Sequence, residues 1–272
     1  MRSEKSGKTV PETNYATLDT RAVNRYLFYP RGGEPVPAST GSVRTILVPV
    51  EERVIVGGRC HIASRNAPNI LFFHGNGEIV SDYDDFAPFF LNTGFNFIPV
   101  DYRGYGFSTG FPSVTSMMRD CHVVFSHVAD WLVQEGMYAH LVVMGRSLGS
   151  ASALEIAGHY EERLGGLIID SGFVYTGPLL ENLGLDTAAI GFVEENGLQN
   201  LSKISRFHKP TLVVHGENDE IIDVTEARKL YEICPAAEKK LLVIRSAGHN
   251  DLFIIGQDLY RESLAWLKNI LM

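Results

Sequence analysis

From residue 69 to the end of the chain, short apolar runs recur, each followed by a segment of helical length. Few folds accept that rhythm. The runs at 69–73, 96–100, 141–144, 167–169, 211–214 and 241–244 are too short for helices and apolar almost throughout, as strands buried on both faces are. Helices are predicted at 81–92, 116–135, 148–160, 224–234 and 257–270. The second of these carries Val123, Val124, Val128, Trp131 and Leu132 on one side. Strands alternating with helices predict an α/β fold, a parallel sheet wrapped on both faces by right-handed crossovers. Upstream, β-rich runs at 46–50 and 54–62, joined at Glu51-Glu52-Arg53, predict an antiparallel pair. Residues 1–20 read as a polar, loosely ordered segment, with a single domain over 21–272.

One stretch breaks the alternation. Residues 173–208 hold no strand pattern, but they carry Leu179, Leu180, Leu183, Leu185, Ile190, Phe192 and Val193 between glycines. A structureless loop of that length is uncommon inside a domain, so short helices forming a cap insertion are expected.

Within the frame, Leu141-Val142-Val143-Met144 runs into Gly145-Arg146-Ser147-Leu148-Gly149 and then small residues. Glycines two places either side of Ser147 leave room for a sharp strand-to-helix turn that bulkier residues would crowd. A serine there is lifted clear of the sheet at the positive end of the next helix, where its oxygen can attack and the N–H of Leu148 can meet an oxyanion. A bare G-x-S-x-G also occurs as a glycine-rich turn with an incidental serine, so the remaining motifs decide.

Ligands of such sheets bind beyond the carboxyl ends of the strands, and every polar motif of this chain follows one. Ser147 needs a base. Of nine histidines, His249 follows the last strand in Ser246-Ala247-Gly248-His249-Asn250-Asp251, whereas His74 and His215 precede glycines and read as turn formers. His61 belongs to the early hairpin, and His122, His127, His140, His159 and His208 fall on helices or their ends, where solvated or core histidines are usual. A carboxylate must then hold the imidazole's tautomer. Asp219, in the turn after residues 211–214, is preferred to Asp170 at the end of the strand before it, and Asp223 reads as a helix cap. The order Ser147, Asp219, His249 matches a Ser…Asp…His relay. The loop His74-Gly75-Asn76-Gly77 is expected to supply a second oxyanion donor, the N–H of Asn76, paired with that of Leu148. Asp101-Tyr102-Arg103-Gly104-Tyr105-Gly106 reads as structural, with Arg103 pairing a nearby carboxylate. Arg146 reads as a surface arginine with no assigned role.

The net charge of −8 lacks the basic footprint of a nucleic-acid partner. Three widely spaced cysteines, Cys60, Cys121 and Cys234, read as free thiols without zinc spacing. No apolar run approaches the ~20 residues of a membrane span, and residues 1–12 lack a signal core, so a cytoplasmic protein is expected.

With these residues placed, the chain resembles the α/β-hydrolase superfamily from about residue 45 to the end. His74-Gly75-Asn76-Gly77, Asp101 through Gly106, and Gly248-His249-Asn250-Asp251 are most similar to the branch of α/β-hydrolase domain-containing lipid hydrolases and protein depalmitoylases, with their bacterial relatives. The resemblance implies an eight-stranded sheet, a Ser147-His249-Asp219 triad, carboxylic ester or thioester substrates, and no metal or organic cofactor. Gly75 and the cap residues Leu179, Leu183, Ile190 and Phe192 are the expected substrate contacts, with a small acyl ester or thioester as the partner. Depalmitoylases of the branch carry an N-terminal cysteine cluster or membrane segment. Residues 1–20 hold neither, so a depalmitoylating role is not expected. A peptidase or amidase on the same fold, and a non-catalytic ligand-binding scaffold, are the alternatives.

Overall fold

A computed structural model describes residues 14–33 and 39–272. In chain order the elements are α1 (Arg21–Leu27), β1 (Val43–Glu51), β2 (Val54–His61), β3 (Asn69–Phe73), α2 (Ala87–Asn92), β4 (Asn96–Val100), α3 (Val114–Gln134), β5 (Leu141–Arg146) and α4 (Gly149–Tyr160). They continue with β6 (Gly166–Asp170), α5 (Thr176–Asn182), α6 (Asn200–Ile204), β7 (Thr211–Gly216), α7 (Val224–Ile233), β8 (Lys239–Ile244), α8 (Leu252–Ile255) and α9 (Gln257–Leu271).

The eight strands form one sheet in the order β1-β2-β4-β3-β5-β6-β7-β8. β2 pairs antiparallel with β1 and β4, and every pair from β4 to β8 is parallel. This is the α/β-hydrolase sheet. Alternate side chains of its central strands enter separate cores. Leu71, Phe73, Val143, Ile169 and Val213 point to the face packed by α3 and α4. Ile70, Phe72, Val142, Met144, Ile168 and Leu212 join Phe90, Tyr260 and Leu264 on the other. Burial on both faces is why these strands read as continuous apolar runs rather than alternating ones.

The register fixes where chemistry can occur. Phe73 lies opposite Gly145, Arg146 opposite Asp170, Asp170 opposite Val214, and Gly216 opposite Ile244. The carboxyl ends of β3, β5, β6, β7 and β8 are therefore level, and their loops open on one crevice.

Three expectations are corrected. The helix expected at 81–92 is broken, because a 3₁₀ turn at Val80–Tyr83 precedes the separate α2. Pro88 sits in the first turn of α2, where its missing N–H is harmless; the same ring inside a helix running from residue 81 would remove a hydrogen bond. The long helix begins at Val114, two residues early, because the Ser113 hydroxyl accepts from the Ser116 N–H. The segment read as loosely ordered at 1–20 is packed where it is described, since Tyr15 and Leu18 are buried in the larger core. Residues 1–13 lie outside the described residues.

Candidate active site

The turn after β5 has its shape because two glycines leave no alternative. A Cβ on Gly145 would stand 2.3 Å from the Gly149 carbonyl oxygen, and one on Gly149 would stand 2.1 Å from that of Phe73. β5 and α4 consequently meet closer than any side chain would allow. Ser147 between them takes φ +51°, a left-handed conformation unusual for a serine and held here by its surroundings. Its N–H donates to the Asp170 carbonyl at 2.9 Å, pinning the turn to β6.

His249, in the loop after β8, brings Nε2 to 3.0 Å from Ser147 Oγ. Its Nδ1 lies 2.7 Å from Asp219 Oδ2, in the loop after β7. With Nδ1–H donating to the carboxylate, Nε2 is the nitrogen left to accept from the serine hydroxyl. Asp219 Oδ1 accepts the N–H groups of Ile221 and Ile222 at 2.9 and 2.8 Å, and His215 Nε2 stands 3.2 Å from Oδ2. Burial alone would raise this carboxyl. The hydrogen bonds from His215, His249 and Ile222 outweigh it and hold Asp219 well below the usual carboxylate range.

Asp170, the rival carboxylate, has the opposite environment. It is fully buried, accepts from the Tyr260 hydroxyl at 2.7 Å, and is pushed upward by burial, which Arg146 and Tyr260 only partly offset. Asp223 caps α7 by accepting from the Thr225 N–H, as its position predicts.

The loop after β3 completes the crevice. His74 is buried, and its Nδ1–H donates to the Gly75 carbonyl at 2.7 Å. Asn76 Oδ1 accepts from the Tyr29 N–H and the Tyr105 hydroxyl at 2.7 and 2.8 Å, so its side chain is anchored to structural neighbours. Arg103 pairs with Asp120 and Glu51, the structural role expected of it. Arg146 departs from expectation. It is buried, forms an ion pair with Glu78 at 2.8 Å, and donates to the His249 carbonyl at 2.8 Å.

A cavity of about 190 Å³ opens at Ser147 and His249. Leu148 and Asn76 line it, as do Leu179 of α5 and Leu183, the residue that ends that helix. The other expected contacts, Gly75, Ile190 and Phe192, are not among its lining residues. The Gly75 N–H is spent on Glu78 Oε2 at 2.7 Å, while Ile190 and Phe192 lie beyond α5 and pack against the larger core. Leu27 and Ile221 take part in the lining, and the sequence had pointed to neither. Leu27 comes from α1, which packs on α5. Its signal is an apolar pair with Val23 at helical spacing, hidden in a short charged segment.

Among the described residues one group has donors spaced for a metal: His122 on α3 with Glu155 and His159 on α4, all within 4.8 Å. Its carboxylate is already engaged, since Lys203 Nζ stands 2.6 Å from Glu155 Oε2. His159 Nδ1–H donates to the Glu155 carbonyl at 2.9 Å. The cluster lies along the second half of α4, away from the end that meets Ser147. Among the described residues no helix is long and apolar enough to cross a membrane.

Residues 64–191 match the family profile described as serine aminopeptidase, S33. Alpha/beta hydrolase domain-containing protein 17C of Mus musculus is 31% identical over 224 residues, 78% of this chain and 62% of that protein. The chain spans about two thirds, or slightly less, of the length of the curated relatives it matches. Among solved structures, the Pyrococcus furiosus esterase Pf2001 superposes with a TM-score of 0.68 at 16% identity, covering 88% of this chain and 99% of the esterase. A soluble variant of monoglyceride lipase from Saccharomyces cerevisiae, in complex with a substrate analog, superposes at 0.66, again at 16% identity, covering 88% and 98%.

Proposed function

We propose that this chain, which has the α/β-hydrolase fold and is similar to α/β-hydrolase domain-containing proteins, is a serine hydrolase cleaving carboxylic esters or thioesters of acyl chains. The observation that carries the reading is the relay of 3.0 and 2.7 Å from Ser147 through His249 to Asp219, opening on a cavity with an apolar wall. His249 Nε2 takes the Ser147 proton as Oγ attacks the carbonyl carbon, and Asp219 stabilises the imidazolium that forms. The N–H groups of Leu148 and Asn76 receive the oxyanion; losing one such donor typically costs ~3 kcal/mol of transition-state stabilisation. The imidazolium returns its proton to the leaving alcohol or thiol. Water, deprotonated by the same nitrogen, then releases the acid from the acyl-serine.

Leu27, Leu148, Leu179, Leu183 and Ile221 supply the wall for the acyl chain, with residues 173–208 as the cap. At about 190 Å³ the cavity is smaller than the ~300–1,000 Å³ usual for a whole drug-sized ligand, so it suits the acyl end, with the leaving group toward the mouth. The test is hydrolysis of p-nitrophenyl acyl esters of graded length, with fluorophosphonate labelling of Ser147. Ser147→Ala is expected to lose labelling and at least about 10⁴-fold of turnover. Equal turnover by variant and parent overturns the reading.

A second reading, peptidase or amidase, is favoured by the description of the matching family profile. Acyl and aminoacyl p-nitroanilides separate the two. Faster cleavage of these amides than of the matched esters would move the assignment.

A further inference from the structure

Arg146 was expected at the surface, yet it is 7% exposed and sits immediately before Ser147. Its Nη1 pairs with Glu78 Oε1 at 2.8 Å. Its Nη2 donates to the His249 carbonyl at 2.8 Å and to Asn250 Oδ1 at 3.1 Å. Glu78 passes the connection on, because its Oε2 accepts from the Gly75 N–H at 2.7 Å and the Tyr83 hydroxyl at 2.6 Å. The pair is packed tightly against the loop: a Cβ on Gly75 would lie 3.0 Å from both Arg146 Nη1 and Glu78 Oε2. The contacts thus join three backbone segments that meet nowhere else in sequence: the serine turn, the histidine loop, and the 75–78 turn that presents Asn76.

We propose that Arg146, through Glu78, is a positioning residue that fixes the nucleophile, the base and the second oxyanion donor in one geometry. The inference rests on the serine-hydrolase reading above. A buried cation here is stable because the carboxylate offsets its desolvation. Burial opposes the charge on Arg146, but Glu78 more than compensates and raises its affinity for the proton. Only a planar fork reaches Glu78 on one side and a carbonyl on the other, so lysine is a poor substitute. Arg146, Glu78 and Asn250 also line the cavity at Ser147, so the network forms part of its polar wall.

The experiment compares Arg146→Lys, Glu78→Gln and the double variant with the parent. Turnover is expressed per active site titrated by fluorophosphonate, so that loss of folded enzyme is not mistaken for loss of geometry. Each single change is expected to lower kcat per site by about 10²-fold, the scale of a 1 Å misplacement, with KM for a neutral ester within about threefold. The double variant should be no slower than the slower single, because the two side chains act as one unit. Amide hydrogen exchange at residues 75–78 and 248–250 should accelerate in both singles, a readout that needs no turnover. Glu78→Gln keeps the side-chain shape and carries the test if Arg146→Lys fails to fold. Additive losses, or exchange in both loops as slow as in the parent, overturn the proposal. A parent that neither labels nor turns over removes the hydrolase reading instead, and exchange alone then decides whether the network positions these loops.

Discussion

α4 stands between two histidine–carboxylate clusters, one buried at its N-terminal end and one partly exposed along its second half. At the first, His249 Nδ1 stands 2.7 Å from Asp219; at the second, His122 Nε2 stands 3.1 Å from Glu155. Burial works against the charge on both carboxylates, and hydrogen bonds reverse it in both, taking Glu155 down to about 2. They differ in what the remaining atoms meet. His122 Nδ1 meets the Tyr160 hydroxyl at 3.1 Å, and the second oxygen of Glu155 meets Lys203. Both nitrogens of His122 and both oxygens of Glu155 therefore face partners from within the protein. At the other end the far nitrogen of His249 meets a serine held at φ +51° on the wall of a cavity. A histidine bound to a carboxylate is therefore common structural currency in this molecule. On the proposed reading, the reactive group is the one that faces the cavity.

The largest effect that would break this contrast is on turnover. Asp219→Asn is expected to lower kcat by about 10⁴-fold in a protein that still folds, by favouring the wrong imidazole tautomer. Glu155→Gln should spare turnover. It leaves Lys203 buried without its counter-charge, costing about 3–5 kcal/mol by urea denaturation, while kcat per titrated site stays within about twofold. Were Glu155→Gln to abolish turnover in a folded protein, the two clusters would not be separable in this way.

Acid provides the next test. The folded-state value of Glu155, about 2, lies below its ordinary 4.5. Its contribution is thus fully present above about pH 4.5 and is lost as pH falls toward 2, on the order of 3 kcal/mol for a shift of this size. Asp219 acts in the same direction. Unfolding free energy should decline over that window in the parent. The decline should be shallower in Glu155→Gln, and an equally steep one would mean that Glu155 does not carry this acid sensitivity.

How far the sequence could be read follows from the range of each interaction. The strand–helix alternation and the glycine-flanked Ser147 are local, set by burial and by steric room within a few residues, and they predict the sheet and the turn directly. Asp219 and His249 were legible because chain order and level strand ends bring their loops together. Arg146 and Glu78 were not, being 68 positions apart with nothing in either neighbourhood to mark the pair. Tyr15 and Leu18 sit in a polar run without periodicity, so only the fold reveals that they are core. The apolar residues of 173–208 were visible as a set, but which of them reach the cavity depends on how α5 is turned.

That last division yields the smallest predicted effect and the finest test of the cavity. Leu179 and Leu183 stand four positions apart on or at the end of α5, share its inner side and line the space beside Ser147. Phe192 packs elsewhere, one ring edge lying close to Gly177. Enlarging Leu183 to Phe should shorten the accepted acyl chain, lowering the kcat/KM ratio of long to short p-nitrophenyl esters by about tenfold, a discrimination of one to two methylenes. Phe192→Ala removes more volume yet is expected to leave that ratio within about twofold while lowering stability by about 3 kcal/mol or less, since its ring is only partly buried. If the ratio instead moves with Phe192 and ignores Leu183, the acyl chain runs outside the cavity at Ser147, and the cap rather than the crevice sets chain length.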